Sequence, residues 1–129
     1  MRVLICGDRE WNDYKVTLAL VKSLKELHGD NLVIIEGECR GADRMARQAA
    51  EELDIKVLKF PAEWSQFGGA AGPIRNEQMI REGKPQLGFA CHNNLAHSKG
   101  TKDMVKRLKA HKIKCLHVYS QMPNGPEEL

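Results

Sequence analysis

The sequence predicts a single α/β domain in which helices cover both faces of a parallel sheet. Three observations support this fold class. The chain has 129 residues, the size of one ordinary domain. Short apolar runs alternate with segments of helical periodicity, and nearly uninterrupted apolar runs are typical of strands buried on both faces. Right-handed crossovers between consecutive parallel strands then place the helices on both sides of the sheet.

Five apolar runs are predicted to be the strands, because each is short and is bounded by glycine, proline or polar residues. They are RVLIC (2–6), LVIIE (32–36), IKVLKF (55–60), QLGFAC (86–91) and KCLHV (114–118).

Four helices are predicted between these strands. The first spans 13–28, and the second spans 42–53 with small residues along its apolar face, so that it can lie close to the sheet. A third is expected to start near Gly72, with Pro73 in its first turn, where a missing N–H costs nothing. A fourth is expected to begin near Gly100.

The domain is predicted to span residues 1–118, followed by a flexible C-terminal tail over 119–129. The tail sequence, YSQMPNGPEEL, contains two prolines, a glycine and no periodic pattern.

Composition excludes several classes of protein. Apolar residues make up 42% and charged residues 29%, which is globular rather than disordered composition. No stretch approaches the roughly 20 apolar residues of a membrane span, and the N-terminal apolar run is too short for a signal peptide.

The cysteines lack C-x-x-C and zinc-type spacing, so no metal site is predicted. We expect a cytoplasmic protein with no membrane partner.

Positive charge is concentrated in one segment. Between residues 99 and 114, only Asp103 opposes a series of basic side chains, namely Lys99, Lys102, Lys106, Arg107, Lys109, Lys112 and Lys114. This pattern is typical of the solvated face of an amphipathic helix, and it is also compatible with a surface that attracts nucleic acid.

The functional site is predicted in the loops that follow the strands, because ligands of open parallel sheets bind beyond the strand carboxyl ends. Each of these loops combines glycine with polar or charged residues. The candidate binding residues are Gly7, Asp8, Arg9, Gly37, Arg40, Gly41, Ala42, Asp43, Arg75, Asn76, Ser98, Gly100 and Thr101.

These residue types suit a phosphorylated ligand. Glycine turns and helix starts can present free N–H groups to an anion. Arg75 can bind a phosphate or carboxylate through two nitrogens, and Asn76 can pair with a sugar hydroxyl or a base edge. The structural alternative is that Asp43 and Ser98 only cap helices and that Arg75 forms a surface ion pair with Glu77. Neither G-x-G-x-x-G nor a Walker A motif occurs, which disfavours an ordinary NAD or ATP site.

The segments GDREWND, GECRGAD, FPAEWSQFGGAAGPIRNEQM and SKGTKDM resemble the YspA-like (DUF2493) family of the SLOG superfamily, which is related to the LOG and SMF/DprA proteins. The resemblance covers nearly the whole chain up to about Val118. It implies a Rossmann-like three-layer fold with a five-stranded parallel sheet in the order 3-2-1-4-5. It also implies a pocket for nucleotides or nucleotide-derived small molecules.

The resemblance also raises the question of catalysis. LOG relatives are phosphoribohydrolases that remove the base from nucleoside monophosphates, with an arginine on the third helix and G-T-x-x-E after strand four. Arg75 matches the arginine, but Met104 stands at the glutamate position and Asp103 precedes it. Because methionine cannot stabilise an oxocarbenium-like centre or activate water, Arg75 and Asp103 are the candidate catalytic residues, with Glu63 and Asp8 as substitute carboxylates.

Three hypotheses of function follow from these patterns. The first is binding of a nucleotide or nucleotide-derived molecule as a sensor or carrier, with Trp11 or Trp64 stacking on the base. The second is hydrolysis of an N-glycosidic or phosphoester bond in that ligand, and the third is nucleic-acid binding. No tightly bound cofactor is predicted, while Mg²⁺ accompanying the nucleotide and a homo-oligomeric state are both compatible with the sequence.

Overall fold

The central strand shows why the sheet is covered on both sides. The computed structural model describes residues 1–129, and its first strand, β1, spans Arg2–Gly7. Val3 and Ile5 belong to one apolar cluster, whereas Leu4 and Cys6 belong to another. Because successive side chains of a strand point to opposite faces, this continuous apolar run requires a helical layer on each side.

Strands and helices alternate along the chain as predicted. Their bounds are β1 (Arg2–Gly7), α1 (Tyr14–His28), β2 (Val33–Glu36), α2 (Ala42–Glu52), β3 (Lys56–Lys59), α3 (Trp64–Phe67), α4 (Ala71–Gly83), β4 (Leu87–Cys91), α5 (Gly100–Ala110), β5 (Cys115–Val118) and β6 (Glu127–Glu128).

The sheet has the strand order β3-β2-β1-β4-β5-β6, and its first five strands are parallel. The predicted three-layer Rossmann-like fold and the order 3-2-1-4-5 are therefore confirmed. The order reverses between β1 and β4, so the loops that follow these strands border the crevice where ligands of such sheets bind.

Helices α1 and α2 cover one face of the sheet, and α4 and α5 cover the other. Alanine lets α2 approach the sheet closely, since Ala42, Ala46, Ala49 and Ala50 are completely buried. Asp13 starts α1 by accepting a hydrogen bond at Oδ1 from the N–H of Val16, at 3.2 Å.

The expected count of five strands is corrected to six. Strand β6 lies in the tail and pairs antiparallel with β5, and the N–H of Leu129 donates to the carbonyl of Cys115 at 2.9 Å. Two residues joined mainly through backbone groups leave no hydrophobic alternation in the sequence, which is why the pattern analysis did not find this strand. The flexibility of the other tail residues stays a prediction.

The segment before α4 also differs from the expectation. A four-residue helix, α3, and a 3₁₀ turn over Gly68–Ala70 occupy what the sequence indicated as a loop. Helix α4 begins at Ala71, so Arg75 and Asn76 lie in its second turn rather than its first. No helix combines the length and the apolar character that a membrane crossing requires.

Candidate functional site

A cavity of about 540 Å³ lies beyond the carboxyl ends of the strands, at the reversal of strand order. It has the size of a small-molecule site. Of the candidate residues, those that line it are Gly7, Asp8, Arg9, Asp43, Arg75, Asn76, Ser98, Gly100, Thr101 and Asp103. The structure thus brings residues of all four predicted loops to one place, while Gly37, Arg40, Gly41 and Ala42 lie outside the lining.

Arg75 reaches the cavity from α4 and is only 8% exposed. Its Nη1 donates to the carbonyl of Gly37 at 2.6 Å, and its Nε donates to Oδ1 of Asn76 at 3.0 Å. Nη2 has no hydrogen-bond partner in the protein, and no carboxylate forms an ion pair with this side chain. Arg75 is therefore a buried cation that neutral acceptors hold in place.

Asn76 connects α4 to the start of α5. Its Nδ2 donates to Oδ2 of Asp103 at 2.9 Å and to the carbonyl of Gly100 at 3.4 Å. Two successive side chains thus tie the loop after β2 and the start of α5 to the same turn of α4. This link explains why an arginine and an asparagine stand side by side in the sequence.

Asp43 organises the loop after β2 instead of capping its own helix. Its Oδ2 accepts hydrogen bonds from the N–H groups of Gly37 at 3.1 Å and Cys39 at 3.3 Å. Burial raises the pKa of Asp43 to about 6, against the opposing influence of Arg75 and these two amides. Because the carboxylate already binds these amides, they are engaged within the protein and are not free for a ligand phosphate.

The loop after β1 is also closed by internal hydrogen bonds. The N–H of Asp8 donates to the carbonyl of Cys91 at 2.9 Å, and the N–H of Trp11 donates to the carbonyl of Asp8 at 3.1 Å. Oδ1 of Asp8 accepts from the N–H of Glu10 at 3.0 Å, while the N–H of Ala42 donates to the carbonyl of Asp8 at 3.1 Å. These contacts fix the loop against α2 and leave Oδ2 of Asp8 as the group that it offers to the cavity.

The start of α5 forms the opposite wall. Oγ of Ser98 accepts a hydrogen bond from the N–H of Thr101 at 3.0 Å, which is an N-terminal capping contact. Gly100 opens onto the cavity, because no atom lies within 4 Å of the position that a Cβ would take there. Lys99 also lines this wall, a residue that the sequence analysis did not select for the site.

Asp103 is the candidate carboxylate nearest in sequence to the position where LOG relatives carry glutamate. Its Oδ2 accepts hydrogen bonds from Nε of Arg107 at 2.8 Å as well as from Asn76. Met104 lines the cavity beside it with 1% exposure. Glu63 lies outside the lining, so Asp8, Asp43 and Asp103 are the carboxylates that line the cavity.

The two tryptophans have different environments. Trp11 is 3% exposed in the apolar core, and its Nε1 donates to Oγ1 of Thr17 at 2.8 Å. Trp64 is 46% exposed and lines the cavity, with the guanidinium of Arg9 at 5.6 Å from its ring centroid. Trp64 is therefore the aromatic side chain available to a ligand.

Arg40 does not line the cavity. Its Nη2 forms an ion pair with Oε1 of Glu10 at 2.5 Å, and both side chains are exposed. Pairs of this kind contribute about 0–1 kcal/mol to stability.

Of the five histidines, His92 and His97 are the two that the loop after the fourth predicted strand is expected to bring near the crevice, and His92 lies in the cavity lining directly after β4. His97 lies outside the lining, so the position immediately after β4, the strand that borders the reversal of strand order, is the one that reaches the cavity.

Comparisons with known proteins agree with this fold. The family model described as "YspA, cpYpsA-related SLOG family" (YAcAr) matches residues 1–67. A curated relative, the Gene 61 protein of Mycobacterium phage D29, is 35% identical over an alignment of 89 residues, and the match covers 64% of this chain and 70% of the relative.

A solved structure, that of DNA processing protein A (DprA) from Streptococcus pneumoniae, is similar with a TM-score of 0.72 and 15% sequence identity. The similarity covers 96% of this chain and 52% of DprA, so the chain spans about half the length of that protein. At this identity the likeness concerns the fold. The family match extends over more than half of the chain, and the chain belongs to the YspA, cpYpsA-related SLOG family.

Proposed function

We propose that the cavity binds a nucleotide or nucleotide-derived small molecule and that the chain acts as a sensor or carrier of this ligand. The observation that carries the proposal is the environment of Arg75, which is 8% exposed, lacks a carboxylate partner and has an unbonded Nη2. Asp43 interacts electrostatically with Arg75 but forms no ion pair with it, and a buried cation without a directly paired counterion is costly. A phosphate at Nη2 would supply that counterion and a charge-assisted hydrogen bond.

The rest of the cavity suits the remainder of such a ligand. Trp64 offers a partly exposed ring for stacking with a base, and Arg9 lies close to that ring. Asp8 and Asp103 supply acceptors for hydroxyl or amino groups. Mg²⁺ would enter the cavity only as an ion coordinated by the phosphates of the ligand.

Replacement of Arg75 by alanine is expected to weaken nucleotide binding by about 10- to 100-fold, since hydrogen bonds to charged groups contribute about 1.5–3 kcal/mol. The measurement is calorimetric titration with a panel of nucleoside mono- and diphosphates, with and without Mg²⁺. Arg81→Ala is the matched control, because Arg81 lies on the same helix, is exposed and pairs with Glu77. Absence of binding by the wild type, or equal affinity of Arg75→Ala and the wild type, would contradict the proposal.

Hydrolysis of the ligand is a second candidate, favoured by the presence of the Asp103 carboxylate in the same cavity as Arg75. Cleavage of an N-glycosidic bond requires a carboxylate near the sugar. We expect chromatography to detect free base after incubation of nucleoside monophosphates with the wild type, and none with Asp103→Asn. If the wild type releases no base from any nucleoside monophosphate, the hydrolysis candidate is wrong and the proposal of ligand binding alone stands.

A nucleic-acid partner ranks third. It would contact the exposed lysines of the 99–114 segment, chiefly outside the cavity. The structural neighbour DprA is, by its name, a DNA processing protein. Few aromatic residues are available here for stacking with bases, and stacking platforms depend on them.

A further inference from the structure

One wall of the cavity contains a histidine whose proton position is fixed by the backbone. His92 is 7% exposed and lines the cavity. The N–H of Asn94 donates a hydrogen bond to its Nδ1 at 2.8 Å. An imidazole nitrogen that accepts a hydrogen bond carries no proton, so the neutral ring holds its proton on Nε2.

The balance of the groups around His92 favours the neutral ring. Burial lowers the pKa of His92, Asp8 opposes that shift, and His117 of the neighbouring strand reinforces it. Nε2 of His117 lies 2.7 Å from the carbonyl oxygen of His92. A second proton on the ring would have to enter at Nδ1, where it would face the N–H of Asn94, so His92 acts as a hydrogen-bond donor through Nε2–H.

This donor faces an acceptor without bonding to it. Nε2 of His92 and Oδ2 of Asp8 are 3.8 Å apart, which is too long for a hydrogen bond. Neither atom has another hydrogen-bond partner in the protein, and both residues line the cavity. A hydroxyl group matches this pair, because its oxygen can accept from Nε2–H while its proton is donated to Oδ2.

We propose that His92 and Asp8 form a subsite for a hydroxyl group of the ligand, which on a nucleotide is a ribose hydroxyl. The inference rests on the proposed function, because it assigns the sugar of the same ligand whose phosphate binds at Arg75. The ligand class becomes a ribonucleotide or ribonucleotide derivative rather than any phosphorylated molecule.

The first test measures the His92 ring in the protein without ligand. Long-range proton–nitrogen correlation spectra of ¹⁵N-labelled protein report which ring nitrogen carries the proton. We expect a neutral ring with the proton on Nε2 at pH 7. A proton on Nδ1, or a doubly protonated ring at this pH, would overturn the subsite whatever ligand binds.

The second test compares ribonucleotides with analogues that lack one hydroxyl. Titration of AMP, 2′-deoxy-AMP and 3′-deoxy-AMP into the wild type is expected to show about tenfold weaker binding of at least one deoxy form. In His92→Asn this preference is expected to vanish, because Asn retains an acceptor for the N–H of Asn94 but lacks the Nε2 donor. His92→Gln, whose amide can reach the Nε2 position, is expected to restore part of the preference.

Controls separate this inference from the proposed function. His111→Asn removes an exposed histidine that pairs with Glu77, and it is expected to keep the wild-type preference. Arg75→Ala is expected to weaken AMP and both deoxy forms by a similar factor. If the wild type binds all three nucleotides equally, or if His92→Asn keeps the preference, the subsite is wrong and the proposed function stands. If no nucleotide binds, the proposed function fails and the subsite fails with it.

Discussion

Alanine at position 7 is expected to lower the free energy of unfolding by about 3 kcal/mol or more, or to prevent folding. Gly7 ends β1, and a Cβ added there would lie 2.1 Å from the carbonyl oxygen of Cys91 and 2.7 Å from Cβ of Ala42. Neither atom belongs to a flexible side chain. The carbonyl of Cys91 also accepts the N–H of Asp8, so relief of the clash requires displacement of the backbone of β4 or α2.

Chemical denaturation of Gly7→Ala beside the wild type measures this loss. Gly69→Ala is the matched control, since no atom lies within 4 Å of its added Cβ and its φ is not in the left-handed region. Its stability is expected to differ from that of the wild type by no more than about 0.5 kcal/mol. A Gly7→Ala protein with the wild-type denaturation midpoint would mean that β1, β4 and α2 are less tightly packed than described.

The role of the glycines also shows what the sequence could not determine. Gly41 has φ of +81°, and a Cβ there would lie 2.4 Å from the carbonyl oxygen of Asp8. At Gly37 an added Cβ would lie 2.7 Å from Nη1 of Arg75. In the sequence, a glycine that admits a phosphate and one that admits a neighbouring loop are identical, because both positions require only the absence of a side chain. The neighbours in space decide between them, and in these loops the glycines let the cavity walls pack together.

Other parts of the fold were accessible from the sequence because their physical cause is local. The apolar runs predicted the five parallel strands within about two residues, and the alanine face of α2 predicted its close approach to the sheet. Strand β6 depends on a distant backbone partner, and the proton position of His92 depends on the N–H of Asn94. Such features depend on contacts that a residue pattern does not encode, which is why they were missed.

Glu36 is expected to make the protein less stable as the pH rises. It ends β2 with no exposed surface, and its Oε1 accepts the N–H of Glu38 at 2.7 Å. The pKa of Glu36 is raised to about 9, chiefly by burial and also by a side-chain hydrogen bond with Glu38. Oε2 of Glu36 and Oε1 of Glu38 are both buried and form no other hydrogen bond, although Nε of Arg47 lies 3.3 Å from Oε1 of Glu38; this arrangement fits a proton held by Glu36 between the two carboxyl groups.

The sign of the effect follows from the two pKa values. In the unfolded chain Glu36 loses its proton near the ordinary value of 4.5, whereas in the folded protein it keeps the proton up to about pH 9. Between these values the folded state binds one more proton than the unfolded state. The free energy of unfolding therefore falls as the pH rises, with a slope of up to about 1.4 kcal/mol per pH unit from this group.

Glu36→Gln replaces the protonated carboxyl by an amide of the same shape that cannot ionise. Its free energy of unfolding is measured by denaturation at intervals between about pH 5 and pH 9. This free energy is expected to decline less steeply with pH than that of the wild type, so that the variant is the more stable protein near pH 9. Asp43, whose pKa is raised to about 6, titrates in both proteins, so its contribution largely cancels when the two unfolding free energies are subtracted. Glu82→Gln, which changes an exposed glutamate, is expected to run parallel to the wild type. If the Glu36→Gln curve also ran parallel to that of the wild type, Glu36 would have to be ionised in the folded protein. Two ionised carboxylates at this place would need a compensating cation, and the single contact of 3.3 Å between Arg47 and Glu38 does not compensate both charges.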